Sequence, residues 1–145
     1  MRDLDRSLGD GGMPLLGALG VCFDEYGEGW AAATWTPTDL ACNPLGAVHG
    51  GVYGVVHDAA MNFATSAALE SGDRCATLDI GYATMRAVSA GVELLVRGEV
   101  VRATTTVAYT ECTIHDGDER LVSKGQATFS LRRKLTDGEA PATAS

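Results

Sequence analysis

The spacing of apolar residues predicts one long helix in the middle of the chain. Apolar residues recur there at intervals of three and four, which is typical of a helix with one buried face, from about Gly51 to Leu69. Gly72 is a suitable residue to end it. The apolar stripe consists of Val52, Val55, Val56, Ala59, Ala60, Phe63 and Ala67.

Shorter segments on both sides of this helix alternate between apolar and polar residues, as strands with one buried face do. The predicted strands are Val21 to Tyr26, Trp30 to Trp35, Cys75 to Met85, Val92 to Ala103, Thr105 to His115 and Leu121 to Arg132. In the last strand, the side chains predicted to share one face are Leu121, Ser123, Gly125, Ala127, Phe129 and Leu131. A short helix is predicted for Met13 to Leu19.

This order of elements predicts an α+β fold with a single domain, residues 13–133. One helix cannot cover both faces of an antiparallel sheet of five to six strands. We therefore expect the sheet to wrap around the long central helix and to pair with a second copy of the chain. The charged, glycine-rich residues 1–12 and the polar residues 134–145 are predicted to be flexible termini.

Composition narrows the classes of function. A net charge of -8 over 145 residues argues against nucleic-acid binding, because no basic cluster could follow a phosphate backbone. No segment has the length and apolar character of a signal peptide or a membrane span, so we predict a cytoplasmic protein without a membrane partner. The widely spaced cysteines are not expected to form disulfides.

The start of the long helix carries the first chemical signal. His49-Gly50-Gly51 stands where backbone N–H groups point outward at the positive end of the helix dipole. Such groups could stabilise an oxyanion forming on a carbonyl. Asp58 lies about 140° around the helix from the centre of the apolar stripe, at about 100° per residue. Its neighbours on that face are Gly54, Asn62 and Thr65, so we expect the face to meet a ligand or a partner.

The spacing between Gly50 and Asp58 predicts a shared site. Eight residues of helix correspond to about 12 Å along its axis. An oxyanion donor and a carboxylate that act on one carbonyl must each lie within about 3 Å of the reacting atoms. One chain can hardly supply both groups. Two antiparallel helices related by a two-fold axis can, so the residues predict a dimer with two composite sites.

The motif Asn43-x5-His49-Gly50-Gly51-x6-Asp58, followed by Thr77-Leu78-Asp79-Ile80-x-Tyr82 on the next strand, resembles the PaaI-like branch of the hotdog-fold thioesterases. Gly98-Glu99-Val100-Val101 and Gly125-Gln126-Ala127-Thr128-Phe129 complete the resemblance, which covers about residues 13 to 132. It implies a hotdog fold, hydrolysis of an acyl-CoA thioester without metal or cofactor, and homodimers that assemble as a homotetramer.

The resemblance also implies roles for individual residues. The Gly50 amide would polarise the thioester carbonyl, and Asp58 of the other chain would be the nucleophile or the general base. Asn43 would orient the thioester or the attacking water, Thr77 would help to hold that water, and His49 would shape the loop by hydrogen bonding. Gly51, Asn62 and Arg86 are candidate substrate-binding residues.

Arginine suits phosphate, so further candidates for the CoA phosphates are Arg97, Arg102, Arg132 and Arg133. The histidines have no metal-ligand spacing, and His57 is expected to be a partly exposed helix residue without an assigned role. Three alternatives stay open: a Cys42–His49 nucleophile pair, a non-catalytic acyl-CoA-binding or regulatory protein, and a thioesterase or dehydratase acting on acyl carrier protein.

Overall fold

The computed structural model describes residues 1–134. Residues 135–145, and with them nearly all of the predicted flexible C-terminal segment, lie outside the described residues. The α-helices of the described part are α1 (Pro14–Leu19) and α2 (Gly50–Ala68). The strands are β1 (Val21–Gly27), β2 (Trp30–Trp35), β3 (Arg74–Thr84), β4 (Leu94–Ala103), β5 (Val107–His115) and β6 (Leu121–Arg132). These bounds lie within two residues of the predicted ones almost everywhere.

The six strands form one antiparallel sheet in the order β1-β2-β4-β5-β6-β3. Helix α2 contacts every one of them, so the sheet wraps around it. The predicted α+β architecture is confirmed, with six strands. Neither described α-helix is both long enough and apolar enough to cross a bilayer.

The two edges of the sheet differ. At one edge, β1 is partly covered, because Gly9 and Phe23 exchange backbone hydrogen bonds of 2.9 and 2.6 Å. At the other edge, β3 pairs with β6 alone over residues 1–134. Eleven residues of β3 therefore present backbone groups on which another strand could pair.

The buried face of α2 is broader than the predicted stripe and rotated from it. Val56, Ala60, Phe63 and Ala67 are buried as predicted, whereas Val52, Val55 and Ala59 are only half-buried. The additional buried residues are Tyr53, His57, Met61, Ala64 and Thr65. The prediction was wrong here because all six strands of the curved sheet contact the helix, so aromatic and polar side chains are buried with the aliphatic ones.

Gly98 in β4 sets how closely α2 lies on the sheet. A Cβ atom at this position would stand 2.5 Å from the carbonyl oxygen of Ala60 in the helix backbone. Only a residue without a side chain permits this approach, which brings the helix backbone directly against the strand.

The N-terminal segment, predicted to be a flexible terminus, makes long-range hydrogen bonds in the structure. Arg2 donates hydrogen bonds to the carbonyl oxygens of Glu70 and Asp73, beyond the end of α2. Tyr26 accepts from the Leu4 N–H at 2.8 Å. The charged composition of residues 1–12 suggested exposure, but their polar groups have partners that lie far away in the sequence.

Candidate active site

Helix α2 begins with one backbone amide that no other group uses. His49 is the N-cap residue, and its Nδ1 accepts the Gly51 N–H at 2.9 Å, while its carbonyl accepts the Val52 N–H. The hydrogen bonds of residues 1–134 provide no acceptor for the Gly50 N–H. Gly51 is therefore engaged in the cap, and a substrate would meet the amide of Gly50.

Asn43 organises the loop that leads to this helix start. Its side-chain oxygen accepts the N–H groups of Leu45 and Ala47, at 3.0 and 3.2 Å, in an Asx turn. Its backbone N–H also donates to the Ala47 carbonyl. The side-chain oxygen is thus occupied by the loop, which leaves the NH₂ group as the end of Asn43 that could face a substrate.

Asp58 and Thr77 are brought together. The Thr77 hydroxyl donates a hydrogen bond of 2.7 Å to one carboxylate oxygen of the half-buried Asp58. A bulge in β3 between Thr77 and Asp79 produces this contact. Strict alternation would point Thr77 and Ile80 to opposite faces, but the extra residue turns both toward α2.

Tyr82, two residues beyond Ile80 in β3, connects the strand to the start of helix α2. Its hydroxyl donates to the carbonyl oxygen of Gly50 at 2.9 Å. Its ring lies against Gly54, where a Cβ atom would stand only 2.8 Å from a ring carbon. Strand β3 therefore touches α2 near both groups predicted to act, Gly50 and Asp58.

An apolar cavity of about 610 Å³ opens beside Asp58; we call it the α2 cavity. Asn62 lines it one helical turn beyond Asp58, and Ser66 lines it one turn farther. The other lining residues of α2 are Gly54, Val55, Ala59 and Phe63, and the lining residues outside α2 include Leu4, Phe23 and Ile80. The size is within the range of small-molecule sites.

Comparison with known proteins places this site in a family. A sequence model of the thioesterase superfamily matches residues 45–123, more than half of the chain, and this range contains Gly50, Asp58 and Thr77. The chain belongs to the thioesterase superfamily. A Haemophilus influenzae protein named as an esterase is 26% identical over 113 residues, covering 78% of this chain and 81% of that protein.

Solved structures agree with the assignment to this superfamily. A phenylacetic acid degradation-related protein from Ralstonia eutropha, named as a thioesterase, is 28% identical; it has a TM-score of 0.73 and covers 81% of this chain and 89% of its own. The E. coli PaaI protein has a TM-score of 0.76 at 20% identity, over 83% of this chain and 86% of its own. The predicted hotdog fold and the resemblance to PaaI-like proteins are confirmed, and the names of the relatives support a hydrolase.

His57 has a structural role in this thioesterase-family domain that the sequence did not predict. It is fully buried, not partly exposed as expected, and its Nε2 lies 2.8 Å from the hydroxyl of Ser123. That hydroxyl in turn donates to the Ala83 carbonyl at 2.9 Å. Burial lowers the pKa of His57 from 6.5 to about 4, so the ring is neutral at pH 7. The buried Tyr53 and Met61, four residues before and after it, could have indicated a core position.

The candidate phosphate-binding arginines fall into two groups. Arg97 lies over the Trp30 ring at 4.6 Å, and Arg133 pairs with Asp73 at 3.5 Å. Arg86, Arg102 and Arg132 are exposed, and their side chains have no hydrogen bond or ion pair within residues 1–134. Arg86 follows β3 in a segment that pairs with the Asn43 loop, through the Val48 N–H and the Val88 carbonyl. Among these arginines, Arg86 is therefore the candidate next to a segment that contacts the loop before helix α2.

The alternative Cys42–His49 pair is not assembled. The Cys42 thiol donates to the Thr38 carbonyl at 3.6 Å, whereas the His49 Nδ1 accepts from Gly51. Neither side chain hydrogen-bonds the other, so this arrangement offers no base to activate the thiol.

Proposed function

We propose that this protein is a cytoplasmic acyl-CoA thioesterase that hydrolyses its substrate to a free acid and CoA. The observation that carries the proposal is the Asp58 carboxylate, held by the Thr77 hydroxyl at 2.7 Å and facing an apolar cavity. A carboxylate that only interacts with solvent requires neither an adjacent apolar cavity nor a hydrogen bond from a threonine hydroxyl. Membership of the thioesterase superfamily supports thioester hydrolysis as the reaction class.

The proposed chemistry uses a carboxylate and a backbone amide. The Gly50 N–H stabilises negative charge on the carbonyl oxygen as the tetrahedral intermediate forms. Asp58 either attacks the carbonyl carbon or takes a proton from the attacking water, with Thr77 and Asn43 as orienting groups. In the general-base route, the water oxygen bonds to the carbonyl carbon, the C–S bond breaks, and the departing thiolate takes up the proton that Asp58 removed from the water. In the covalent route, Asp58 displaces the thiolate, which takes up a proton from solvent, and water then hydrolyses the acyl–Asp58 anhydride to the free acid and the regenerated carboxylate.

We propose that each site is shared between two chains. Gly50 and Asp58 are about 12 Å apart along α2, so the amide for one Asp58 has to come from a second copy. The edge of β3, which is unpaired within residues 1–134, offers a surface for that copy, because two such strands could hydrogen-bond across a two-fold axis. Two dimers would then form the homotetramer implied by the family resemblance.

The CoA moiety would lie outside the cavity, near the start of α2. Arg86 is the leading candidate for a phosphate group, because it is exposed, unpaired within residues 1–134 and next to the Asn43 loop. Asn62, one turn beyond Asp58, would meet the acyl portion instead.

The test is release of free thiol from a panel of acyl-CoA esters by the purified protein and by Asp58→Asn. We expect hydrolysis by the wild type and a fall in kcat of at least about a thousandfold in the variant, because the reacting carbonyl loses its nucleophile or base. Circular dichroism and size-exclusion chromatography would show that Asp58→Asn keeps its fold and assembly.

Glu93→Gln is the matched control. Glu93 is an exposed carboxylate before β4 without a hydrogen bond within residues 1–134, so this variant should retain wild-type kcat. Full activity of Asp58→Asn would remove Asp58 from the mechanism. Tight binding of acyl-CoA without turnover by the wild type would favour the non-catalytic binding protein instead.

A further inference from the structure

The first twelve residues form one wall of the α2 cavity; we call residues 1–12 the N-terminal strap. Leu4, Ser7 and Gly11 of the strap line the cavity together with residues of helix α2. The strap is held at both ends, by the Arg2 hydrogen bonds to the carbonyls of Glu70 and Asp73 and by the pairing of Gly9 with Phe23. These contacts hold the N-terminal strap in place as part of the cavity lining.

The direction of the strap places Leu4 at the end of the cavity away from Asp58. Arg2 is bound just beyond the C-terminal end of α2, and Leu4 donates its N–H to Tyr26. The Tyr26 ring packs on Phe63, with centroids 5.6 Å apart, and Phe63 stacks on Phe23 at 4.6 Å. Leu4, Phe23 and Phe63 all line the cavity, and the position of Leu4 near the end of α2 places it on the side of Ser66.

The distance from Asp58 to the Ser66 end of the cavity bears on the length of the group that can enter. Ser66 follows Asp58 by eight residues, which is about 12 Å along the helix axis. An extended saturated chain advances about 1.3 Å per carbon, given C–C bonds of about 1.5 Å. We infer that the N-terminal strap closes the acyl site, so that the protein prefers acyl groups of about eight to ten carbons. This inference rests on the proposed function, since the acyl group must belong to the thioester at Asp58.

The experiment compares chain-length profiles. Values of kcat/KM would be measured for saturated acyl-CoA esters from four to sixteen carbons with wild type, Leu4→Ala and Leu8→Ala. The wild type should favour the middle of this series. Leu4→Ala should raise the ratio of the twelve-carbon to the eight-carbon value about tenfold, because the truncated wall admits more methylene groups. Leu8 belongs to the same strap and packs on the core without lining the cavity, so Leu8→Ala should keep the wild-type ratio.

A variant with the opposite expected effect distinguishes a change in cavity length from a general loosening of the strap. Ser66→Leu would place bulk at the closed end and should shift the preference toward shorter chains. Hydrolysis with a flat wild-type profile, or with a profile that neither variant moves, would overturn the inference and leave the proposed function standing. Absence of hydrolysis for every ester would overturn both. Loss of assembly without a change in profile would mean that a second copy, not an acyl group, fills the cavity.

Discussion

The hydroxyl of Thr77 reaches the carboxylate of Asp58 because of a single extra residue in β3. The bulge beside Leu78 resets the alternation of the strand, so Thr77 faces α2 together with Ile80 and Tyr82. A threonine on the opposite face would leave one oxygen of Asp58 without this donor. The orientation of the proposed catalytic carboxylate therefore depends on a local irregularity of the neighbouring strand.

Replacing Thr77 tests the importance of that contact. A hydrogen bond to a charged group contributes about 1.5–3 kcal/mol, so Thr77→Val should lower kcat about ten- to a hundredfold with little change in KM. Thr77→Ser keeps the hydroxyl and should stay within about threefold of wild type. Steady-state kinetics on one good acyl-CoA substrate would measure both. Equal activity of the valine and serine variants would mean that the hydroxyl has no part in turnover.

Helix α2 owes its position to close contacts as well as to apolar burial. Its backbone approaches β4 at Gly98, and its His57 side chain lies against Gly125 of β6, where a Cβ atom would stand 2.9 Å from Nδ1. Both glycines lie on the inner face of the sheet. The helix backbone can approach β4, and its His57 side chain can enter the core beside β6, only because these strand positions have no side chains.

Gly98→Ala should destabilise the fold strongly. The added methyl group would lie 2.5 Å from the Ala60 carbonyl oxygen, so the helix backbone has to move away from β4. We expect a loss of about 2–3 kcal/mol in the free energy of unfolding, measured by urea denaturation. Gly117→Ala is the control, because a Cβ atom there meets no atom within 4 Å. A similar stability of the two variants would contradict this account of helix packing.

His57 should make stability depend on pH. Its folded-state pKa of about 4 lies below the ordinary 6.5, so the unfolded chain takes up a proton first as pH falls. The contribution of neutral His57 is fully present above about pH 6.5 and is lost between there and about pH 4. From pH 7 to pH 5 it should cost about 2 kcal/mol.

The His57→Gln variant separates this contribution from those of other titrating groups. Urea denaturation of both proteins, at equal concentration and at several pH values, would show a steeper loss of stability in the wild type. Parallel pH profiles for wild type and variant would show that His57 does not titrate as proposed.

The functional unit of the proposed enzyme is a dimer, because Gly50 and Asp58 of one chain lie on the same helix about 12 Å apart. The long free edge of β3 carries Thr77 and Tyr82, so the strand that would meet a second copy is also the strand that holds the site together. Assembly and catalysis should therefore be inseparable.

Complementation between two inactive variants tests this arrangement. Gly50→Pro removes the proposed amide donor at the first helical position, which proline tolerates, and His49 already has the extended φ of -62° and ψ of 134° that a following proline requires. Asp58→Asn removes the acid. Each variant alone should be inactive, whereas co-expressed chains should regain about a quarter of wild-type activity, because random pairing restores one site in four. Co-expressed chains that stay inactive would mean that both groups act within one chain.

The sequence by itself determined the element order, the long helix, the inner face of β6 and the resemblance carried by Asn43, His49, Gly50 and Asp58. These are local properties, because apolar periodicity reports which side of an element is buried, and motif spacing reports which residues a helix start presents. The proposal that two chains share the site also rests on local geometry, since the rise of a helix is constant.

Tertiary structure alone decided the contacts between residues that are distant in the chain. The partner of Thr77, the burial of His57 against Ser123, and the anchoring of the N-terminal strap by Arg2 each join segments with no common pattern. Periodicity could not predict them, because a bulge shifts the alternation of β3 and the curved sheet buries more of α2 than its apolar stripe. The contacts of the charged strap could not be predicted for the same reason: composition records which groups are polar, and only the fold brings their partners to them.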